Sequence, residues 1–290
     1  MTSMNISPLP EHAFSDLVAL ITGGNVGIGR VTAVELAKAG YQVVIAGRSL
    51  ERTQPVLDEI KAILPHKPAV FLPLNLASLA SVQACAEQFA ALRLPLHLLV
   101  NNAGLAGARG LTSDAFEMMF GVNHMGHFLL TKLLLPTLQV SGPSRVVTVS
   151  SRAHKRTPGI DWDSLRQPTR SMTGIREYAV SKLANLLFSA ELARRMQGTG
   201  VSCYSLHPGV VDTEIWRAMP HWARRLLRLR GLLTPEEGAR TTLHCAMLAP
   251  QCESGLYYAD CKPVTPAFLG QDEALARKLW EQSEAWLATK

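Results

Sequence analysis

Short apolar runs alternate with longer amphipathic segments along most of the chain, and this alternation limits the available folds more than any other feature. The apolar runs span residues 17–22, 41–47, 69–74, 96–104, 145–151 and 201–207. Each run is rich in β-branched or aliphatic residues, as is typical of a strand that is buried on both faces. The segments between them have helical periodicity. The pattern therefore predicts one α/β domain with a doubly wound parallel sheet and helices on both faces.

Composition narrows the class of protein further. The 290 residues are 47% hydrophobic and 18% charged, which is enough for a large buried core and argues against disorder. The five cysteines are odd in number and scattered, which indicates reduced thiols in a cytoplasmic compartment. Residues 1–15 have neither a basic region nor a long apolar core, and later segments lack about 18 consecutive uncharged apolar residues. We therefore expect one soluble domain over 1–290, with 1–15 as an N-terminal extension.

The net charge of the chain is +6 at pH 7, so nucleic-acid binding has to be considered. The basic residues form one concentrated tract, at 224–230, and aromatic residues make up only 6% of the chain. Zinc-finger, RNA-recognition and basic-zipper patterns are absent from the sequence. We therefore predict that the chain does not bind nucleic acid and that its cations suit a polyanionic small molecule.

A glycine-rich loop follows the first predicted strand. Gly23, Gly27 and Gly29 have a GxxxGxG spacing, and the next helix is predicted to begin at about Gly29. Glycines let the backbone turn tightly and approach a pyrophosphate, and the helix N-terminus favours an anion without a charged side chain. A glycine trio alone is weak evidence, but its place between a buried strand and a helix predicts a dinucleotide site.

The end of the second predicted strand indicates which dinucleotide is bound. A fold that selects NAD usually has Asp or Glu here to bind the ribose 2′-hydroxyl. This chain has Gly47 and Arg48, and Arg30 lies just inside the first helix. Two cations can face a 2′-phosphate, which favours NADP(H). The alternative is that both arginines are solvated surface residues.

Six short motifs occur in the order found in one known family. They are TGGNVGIG (22–29), NNAG (101–104), GVNHMGHF (121–128), VSS (149–151), YAVSK (178–182) and HPGVVDT (207–213). In these motifs the chain resembles the short-chain dehydrogenase/reductase family, and SKLANLLF (181–188) and GLYYADCK (255–262) are most similar to its retinol dehydrogenase branch. The resemblance implies a Rossmann-type fold, an oxidoreductase, and a homodimer or homotetramer.

The resemblance also implies a catalytic set of Asn123, Ser151, Tyr178 and Lys182. Tyr178 would exchange a proton with the substrate oxygen, and Lys182, one helical turn later, would favour its phenolate and hold the nicotinamide ribose. Ser151 would bind the substrate oxygen; Ser150 is less suited, because successive strand residues point to opposite faces. Asn123 would support a water-linked proton path from Lys182, and the alternative is a hydrogen-bonded core amide without a catalytic role.

Further residues are implied as cofactor contacts, including Tyr178 and Lys182. The others are Gly23, Asn25, Gly27, Ile28, Gly29, Arg48, Asn75, Leu76, Asn102, Ala103, Gly104, Pro208, Gly209, Val211 and Thr213. Asn75 stands where the family usually has Asp, and its amide oxygen accepts a hydrogen bond equally well. His124, His127 and His154 lack an acidic third ligand nearby, so we predict packing and capping roles and no metal site.

The substrate is expected to be lipophilic. Residues 212–234 occupy the place of the family's substrate lid and carry a heavy apolar load, namely Trp216, Met219, Trp222, Leu226, Leu227 and Leu229. The interleaved arginines also fit a helix that contacts an anionic membrane surface, or a helix that packs inward with a solvated basic face. The long segment between Ser151 and Tyr178 is expected to wall the substrate pocket.

The sequence leaves two alternatives to an alcohol or carbonyl oxidoreductase. One is a ring reductase similar to protochlorophyllide reductase, which the intact NNAG motif disfavours. The other is a non-catalytic NADP(H)-binding redox sensor on the same fold. The complete set of four catalytic residues favours an enzyme, because a sensor does not need all four.

Overall fold

The computed structural model describes residues 17–211 and 232–289. Within these ranges, eight strands form one sheet in the order β3-β2-β1-β4-β5-β6-β7-β8. β1 to β7 pair in parallel, and β8 is antiparallel to β7. The strands are β1 Val18–Thr22, β2 Gln42–Gly47, β3 Val70–Pro73, β4 Leu98–Asn101, β5 Ser144–Val149, β6 Val201–His207, β7 Tyr257–Ala259 and β8 Lys262–Pro263. The predicted single domain with a doubly wound, Rossmann-type sheet is confirmed.

Helices cover both faces of this sheet. They are α1 Gly27–Lys38, α2 Leu50–Ile63, α3 Leu79–Ala91, α4 Met118–Phe120, α5 Gly126–Ser141, α6 Ile175–Arg195, α7 Pro235–Leu243 and α8 Glu273–Ala288. On one face α1 and α2 bury Leu36 and Ile60 against the strands, and α7 packs on α1. On the other face α3, α5 and α6 bury Phe89, Phe128 and Phe188. None of the helices within 17–211 and 232–289 is long and apolar enough to cross a membrane.

Strand register brings the motif-bearing segments to one edge. Thr22 pairs with Ala46 at the end of β1, and Asn101 pairs with Thr148 at the end of β4. The segments that follow β1, β2, β4, β5 and β6 therefore leave the sheet along the same carboxyl edge. In open α/β sheets this edge is where ligands bind.

Several element boundaries differ from the sequence-based prediction. α1 begins at Gly27, two residues earlier than expected, and β4 ends at Asn101 because the backbone leaves the sheet through the rest of NNAG. Residues 114–138, whose helical periodicity predicts one long helix, contain a π-helical turn, Gly121–Met125. β7 and β8 were not predicted, since strands of three and two residues are too short to show periodicity.

Candidate active site

Tyr178 and Ser151 meet at the carboxyl edge of the sheet. Ser151 is the second residue after β5, and its side chain hydrogen-bonds the Tyr178 hydroxyl. The Ser151 Oγ also accepts the backbone N–H of Ala153 at 3.1 Å, which fixes its direction. Ser150 points the other way, and its hydroxyl donates to the Lys182 carbonyl at 2.6 Å. The opposite orientation of the two serines follows from the alternation of side chains along a strand.

Lys182 lies one turn after Tyr178 on α6 and is only 2% exposed. Its Nζ donates to the Val149 carbonyl at 3.0 Å and is 5.7 Å from the centroid of the Tyr178 ring. Burial lowers the pKa of the Lys182 ammonium to about 8. Burial also raises the pKa of the Tyr178 hydroxyl, which its hydrogen bond with Ser151 partly offsets. The phenol therefore carries its proton near neutral pH and can donate it.

Gly104 lets the backbone of the NNAG segment pass close to the side chains of Lys182 and Asn123. A Cβ at Gly104 would lie 3.4 Å from the Lys182 Nζ and 3.3 Å from the Asn123 Oδ1. A Cβ would therefore be crowded against the amide oxygen and in contact with the ammonium. The loop after β4 thus passes directly beside the catalytic candidates.

Asn123 lies in the π-helical turn and makes three side-chain hydrogen bonds. Its Oδ1 accepts the N–H of Leu105 at 2.7 Å, and its Nδ2 donates to the Leu105 carbonyl at 3.0 Å. The same Nδ2 donates to the Ser181 Oγ at 2.9 Å. Asn123 therefore ties the loop after β4 to the residue before Lys182. π-helical turns inside helices are often found at functional sites.

His127 and Thr22 join the glycine-rich loop to this network, and sequence reasoning did not identify this role. The His127 Nδ1 lies 3.0 Å from the Asn123 carbonyl, which can only accept, so Nδ1 carries the proton. Burial lowers the pKa of the His127 ring to about 4, so the ring is neutral and Nε2 accepts the Thr22 hydroxyl at 2.9 Å. The Thr22 Oγ1 accepts the N–H groups of Asn102 and Ala103 at 3.0 Å each. A polar residue at the end of a buried strand was the available signal for Thr22.

The glycine-rich loop has the geometry of an anion cradle. Gly23 has a φ of +67°, and a Cβ at Gly29 would lie 2.3 Å from the Gly23 carbonyl oxygen. Asn102 uses its Nδ2 to donate to the Thr22 carbonyl at 2.9 Å, so its side chain braces the loop. α1 has no side-chain cap at Val26 and no acidic residue in its first turn. Its N-terminal N–H groups are thus available to a pyrophosphate, which fits a dinucleotide.

The other predicted contacts of this loop lie around the same cradle. Asn25 is half-buried in the turn before α1, and Gly27 and Ile28 are half-buried in its first turn. Gly27 has a φ of +54°, which favours glycine. All three residues lie in the segment between Gly23 and Gly29, which form the cradle.

Of the two cations predicted to face a 2′-phosphate, one is exposed at the end of β2 and the other, in α1, is already paired. Arg48 follows Gly47 and is exposed. Arg30 donates from Nη2 to the Glu59 carboxylate at 2.7 Å, so part of its charge is neutralised by α2. Arg48 is therefore the stronger of the two candidates for a 2′-phosphate.

Asn75 and Leu76 follow β3 on the same edge. Asn75 is exposed, and its Oδ1 accepts the N–H of Ala77 at 3.2 Å, which leaves a second lone pair on that oxygen. Leu76 is buried, and its carbonyl lies so close to Gly126 that a Cβ there would be at 2.7 Å. The start of α5 thus holds the segment after β3 in place.

The HPGVVDT segment closes the site after β6. Pro208 is half-buried, and Gly209 has a φ of +87° with Leu233 so close that a Cβ would lie 2.2 Å from its Cδ1. Val211 is buried and forms an isolated parallel bridge with Leu233. Thr213 and the six apolar residues of the predicted lid lie outside the described residues.

Glu117 anchors the segment between Ser151 and Tyr178, another role that the sequence did not indicate. The carboxylate is 2% exposed and accepts the N–H groups of Met119 and Phe120 at 2.9 Å each. The Thr169 hydroxyl donates to it at 2.5 Å, and the Gly110 N–H donates to Thr169 at 3.2 Å. Burial raises the pKa of Glu117, and the hydrogen bonds oppose this.

The remaining histidines have structural partners. The His124 Nε2 is 3.1 Å from the Ser283 hydroxyl. The His154 Nε2 accepts the N–H of Ala267 at 3.2 Å, so Nδ1 donates to the Ser151 carbonyl at 2.7 Å. Across the described ranges, no group of three or more His, Cys, Asp or Glu side chains could hold a metal ion.

Comparison with known proteins adds three relatives and a family model. The model described as short chain dehydrogenase matches residues 17–163. Dehydrogenase/reductase SDR family member 13 of Bos taurus is 44% identical over 275 residues, covering 91% of this chain and 71% of that protein. Retinol dehydrogenase 11 of Mus musculus is 41% identical over 270 residues, covering 92% and 84%. Polyprenol dehydrogenase of Mus musculus is 44% identical over 277 residues, covering 91% and 82%.

A solved structure shows the same architecture. An uncharacterized protein from Mycobacterium paratuberculosis superposes with a TM-score of 0.78 at 32% identity. The superposition covers 97% of this chain and 96% of that chain. The similarity therefore extends over the whole sheet and its helices, beyond the range that the family model matches.

Proposed function

The chain belongs to the short-chain dehydrogenase/reductase family, in its retinol dehydrogenase branch, and we propose that it transfers hydride between NADP(H) and a lipophilic alcohol or carbonyl compound. Members of this family are oxidoreductases that use a nicotinamide cofactor. The observation that carries the proposal is the buried Lys182 ammonium, held by the Val149 carbonyl beside a phenol that is bonded to Ser151. This arrangement places a proton donor, its electrostatic partner and a second polar contact at one point.

The side chains divide the chemistry as follows. A nicotinamide cofactor, when bound, would supply hydride to the carbonyl carbon in reduction and would accept it in oxidation. Tyr178 gives its proton to the carbonyl oxygen as negative charge develops there, so that the product is an alcohol. Ser151 holds the same oxygen by a hydrogen bond. Lys182 stabilises the phenolate that remains, since a cation nearby favours the charged form of a phenol.

The NADP(H) part of the proposal is supported by the end of β2. Arg48 is exposed there, and neither Gly47 nor Arg48 offers a carboxylate to a ribose 2′-hydroxyl. A 2′-phosphate would form a charge-assisted hydrogen bond with the guanidinium.

Arg48→Ala should therefore weaken NADPH binding by roughly 1.5 to 3 kcal/mol, with little change for NADH. Fluorescence titration of both cofactors measures this difference. Lys61→Ala removes a charge from the exposed side of α2 and serves as the matched control. Equal losses for NADPH and NADH in the Arg48 variant would show that the residue is structural and would remove the support for NADP(H).

The lipophilic substrate is supported by the relatives and by the lining of the site. Retinol and polyprenol, named in two of the relatives, are lipid alcohols. Val210, Leu233 and Val264 contribute apolar surface to a cavity beside the catalytic residues. We extend the proposal to residues 212–234 as a substrate lid, on the basis of their six large apolar side chains.

A screen of NADPH oxidation against retinal, long-chain aldehydes and bulky ketones tests the activity directly. Tyr178→Phe should lower kcat by about 10²-fold or more for any substrate found, because the proton is needed only as the oxygen becomes negative. Cofactor binding by this variant should stay near normal. Near wild-type kcat in the variant would overturn the assignment of Tyr178 as the proton donor.

A further inference from the structure

A cavity of about 570 Å³ opens beside the candidate active site, between the segment after β5 and the ends of β6 and β7. Part of its wall is apolar, contributed by Val210, Leu233 and Val264. Two exposed cations, Arg152 and Lys155, line the same cavity. An apolar wall with cations at one place suits an amphiphilic molecule.

The cavity is adjacent to the catalytic residues. Arg152 directly follows Ser151, whose side chain contacts the Tyr178 hydroxyl. Tyr257 also lines the cavity, and its hydroxyl lies within electrostatic range of both Arg152 and Tyr178. A molecule that places a carbonyl at Ser151 and Tyr178 can therefore extend past Arg152.

Hydrogen-bond donors dominate the polar part of the wall. The Arg152 Nε donates to the His207 Nε2 at 2.8 Å, so the neutral ring carries its proton on Nδ1. Burial and the neighbouring cations lower the pKa of His207 to about 4, which keeps the ring neutral at pH 7. The His207 Nδ1 and the Tyr257 hydroxyl are buried, and neither has a hydrogen-bond partner within the described part of the chain. Buried donors of this kind are normally satisfied.

Among the described residues of the wall, the cations outnumber the carboxylates. Asp260 is the one carboxylate among the described residues that line the cavity. The ion pairs found within 17–211 and 232–289 do not join it to Arg152 or Lys155. Two cations and two unpartnered donors therefore face one carboxylate, and the excess favours an anion.

We propose that this cavity binds an acidic group on the substrate, so that the preferred substrates are lipophilic oxo acids or hydroxy acids with a carboxylate near Arg152 and Lys155. The His207 bond directs the Arg152 guanidinium, and the carboxylate supplies the acceptor that the buried donors lack. The inference rests on the proposed function for its reaction, because it names the substrate class of the same site.

The first test compares a long-chain ω-oxo acid with its methyl ester, which has the same chain and no charge. The wild type should have the higher kcat/KM for the acid. Lys155→Glu should lower the acid-to-ester ratio of kcat/KM at least about tenfold, because it replaces an attractive charge by a repulsive one. Arg156→Glu makes the same charge change on the same short helix, 152–156, outside the cavity wall. This control should keep the wild-type ratio.

The second test measures binding without turnover. Decanoate should bind the enzyme with NADPH in calorimetry more tightly than decanol does, and neither ligand has an aldehyde or ketone group for NADPH to reduce. Lys155→Glu should weaken decanoate at least about tenfold, and Arg156→Glu should not. If decanoate behaves in this way while no aldehyde is turned over, the acid site stands and the proposed oxidoreductase function fails.

Two results would overturn the inference. One is a wild type that turns over the ester as well as the acid, with a ratio that Lys155→Glu leaves unchanged. The other is equal weakening of decanoate by the Lys155 and Arg156 variants, which would show a general effect of net charge. In either case turnover of the ester by the wild type would leave the proposed oxidoreductase function intact.

Discussion

At the scale of single residues, we expect the protonation state of Lys182 to determine how the activity of the site depends on pH. The side chain is 2% exposed, and burial brings the pKa of its ammonium down to about 8 from 10.5. Above that pH the folded protein loses the charge that we propose stabilises the Tyr178 phenolate. The Tyr178 hydroxyl keeps its proton in this range, because burial raises its pKa.

We therefore expect the rate of carbonyl reduction to fall as pH rises through about 8. The free energy of unfolding should instead rise with pH between about 8 and 10.5. In this range the unfolded chain binds more protons at Lys182 than the folded chain does. Measuring kcat and the melting temperature over the same pH range separates the two effects. Lys182→Met should be slow at every pH and show no step near 8. A wild-type rate that stays constant up to pH 10 would contradict the role of the ammonium.

Motifs predict candidate residues that lie close together in the sequence. They miss residues whose contacts join distant segments of the chain. Tyr178 and Lys182 share a helix face at a spacing that the sequence displays directly. His127 acts through Thr22, which is 105 positions away, and the sequence alone does not show that pairing. Glu117 was likewise missed, because its partner Thr169 lies in an irregular segment 52 positions later.

At the scale of elements, the start of α4 controls where Asn123 sits. The Glu117 carboxylate caps the first N–H groups of this helix, and the π-helical turn with Asn123 follows immediately. The same carboxylate holds Thr169, so one buried side chain links this helix to the segment before α6. The turn could not be predicted, since one extra residue hardly alters helical periodicity.

Glu117→Ala should therefore destabilise the protein by about 2 kcal/mol or more, through loss of a cap and exposure of unpaired groups in a buried place. Chemical denaturation measures this loss. Glu117→Gln is the matched variant, because an amide oxygen can still accept from Met119 and Phe120. It should retain more stability than the alanine variant. If both variants were as stable as the wild type, Glu117 would not be the anchor of this helix.

At the scale of the whole molecule, the site exists only because the parallel sheet gathers distant segments. The alternation of strands and helices predicted this sheet, and the shared carboxyl edge follows from its topology. The glycine-rich loop, NNAG and α6 are joined by the hydrogen bonds of Thr22 and Asn123. A dinucleotide that contacts all three segments would bind the folded chain and not the unfolded one.

Binding of this kind raises the stability of the entire fold. A ligand at one hundred times its Kd contributes about 2.7 kcal/mol. In a domain of this size that should raise Tm by roughly 5 °C. NADPH should therefore give a larger rise than NADH at the same concentration, since only NADPH carries the 2′-phosphate that Arg48 is proposed to bind. Thermal denaturation of the wild type and of Arg48→Ala measures both effects. In Arg48→Ala the rise in Tm should be the same for NADPH and NADH. An equal rise for both cofactors in the wild type would mean that the protein does not prefer NADPH.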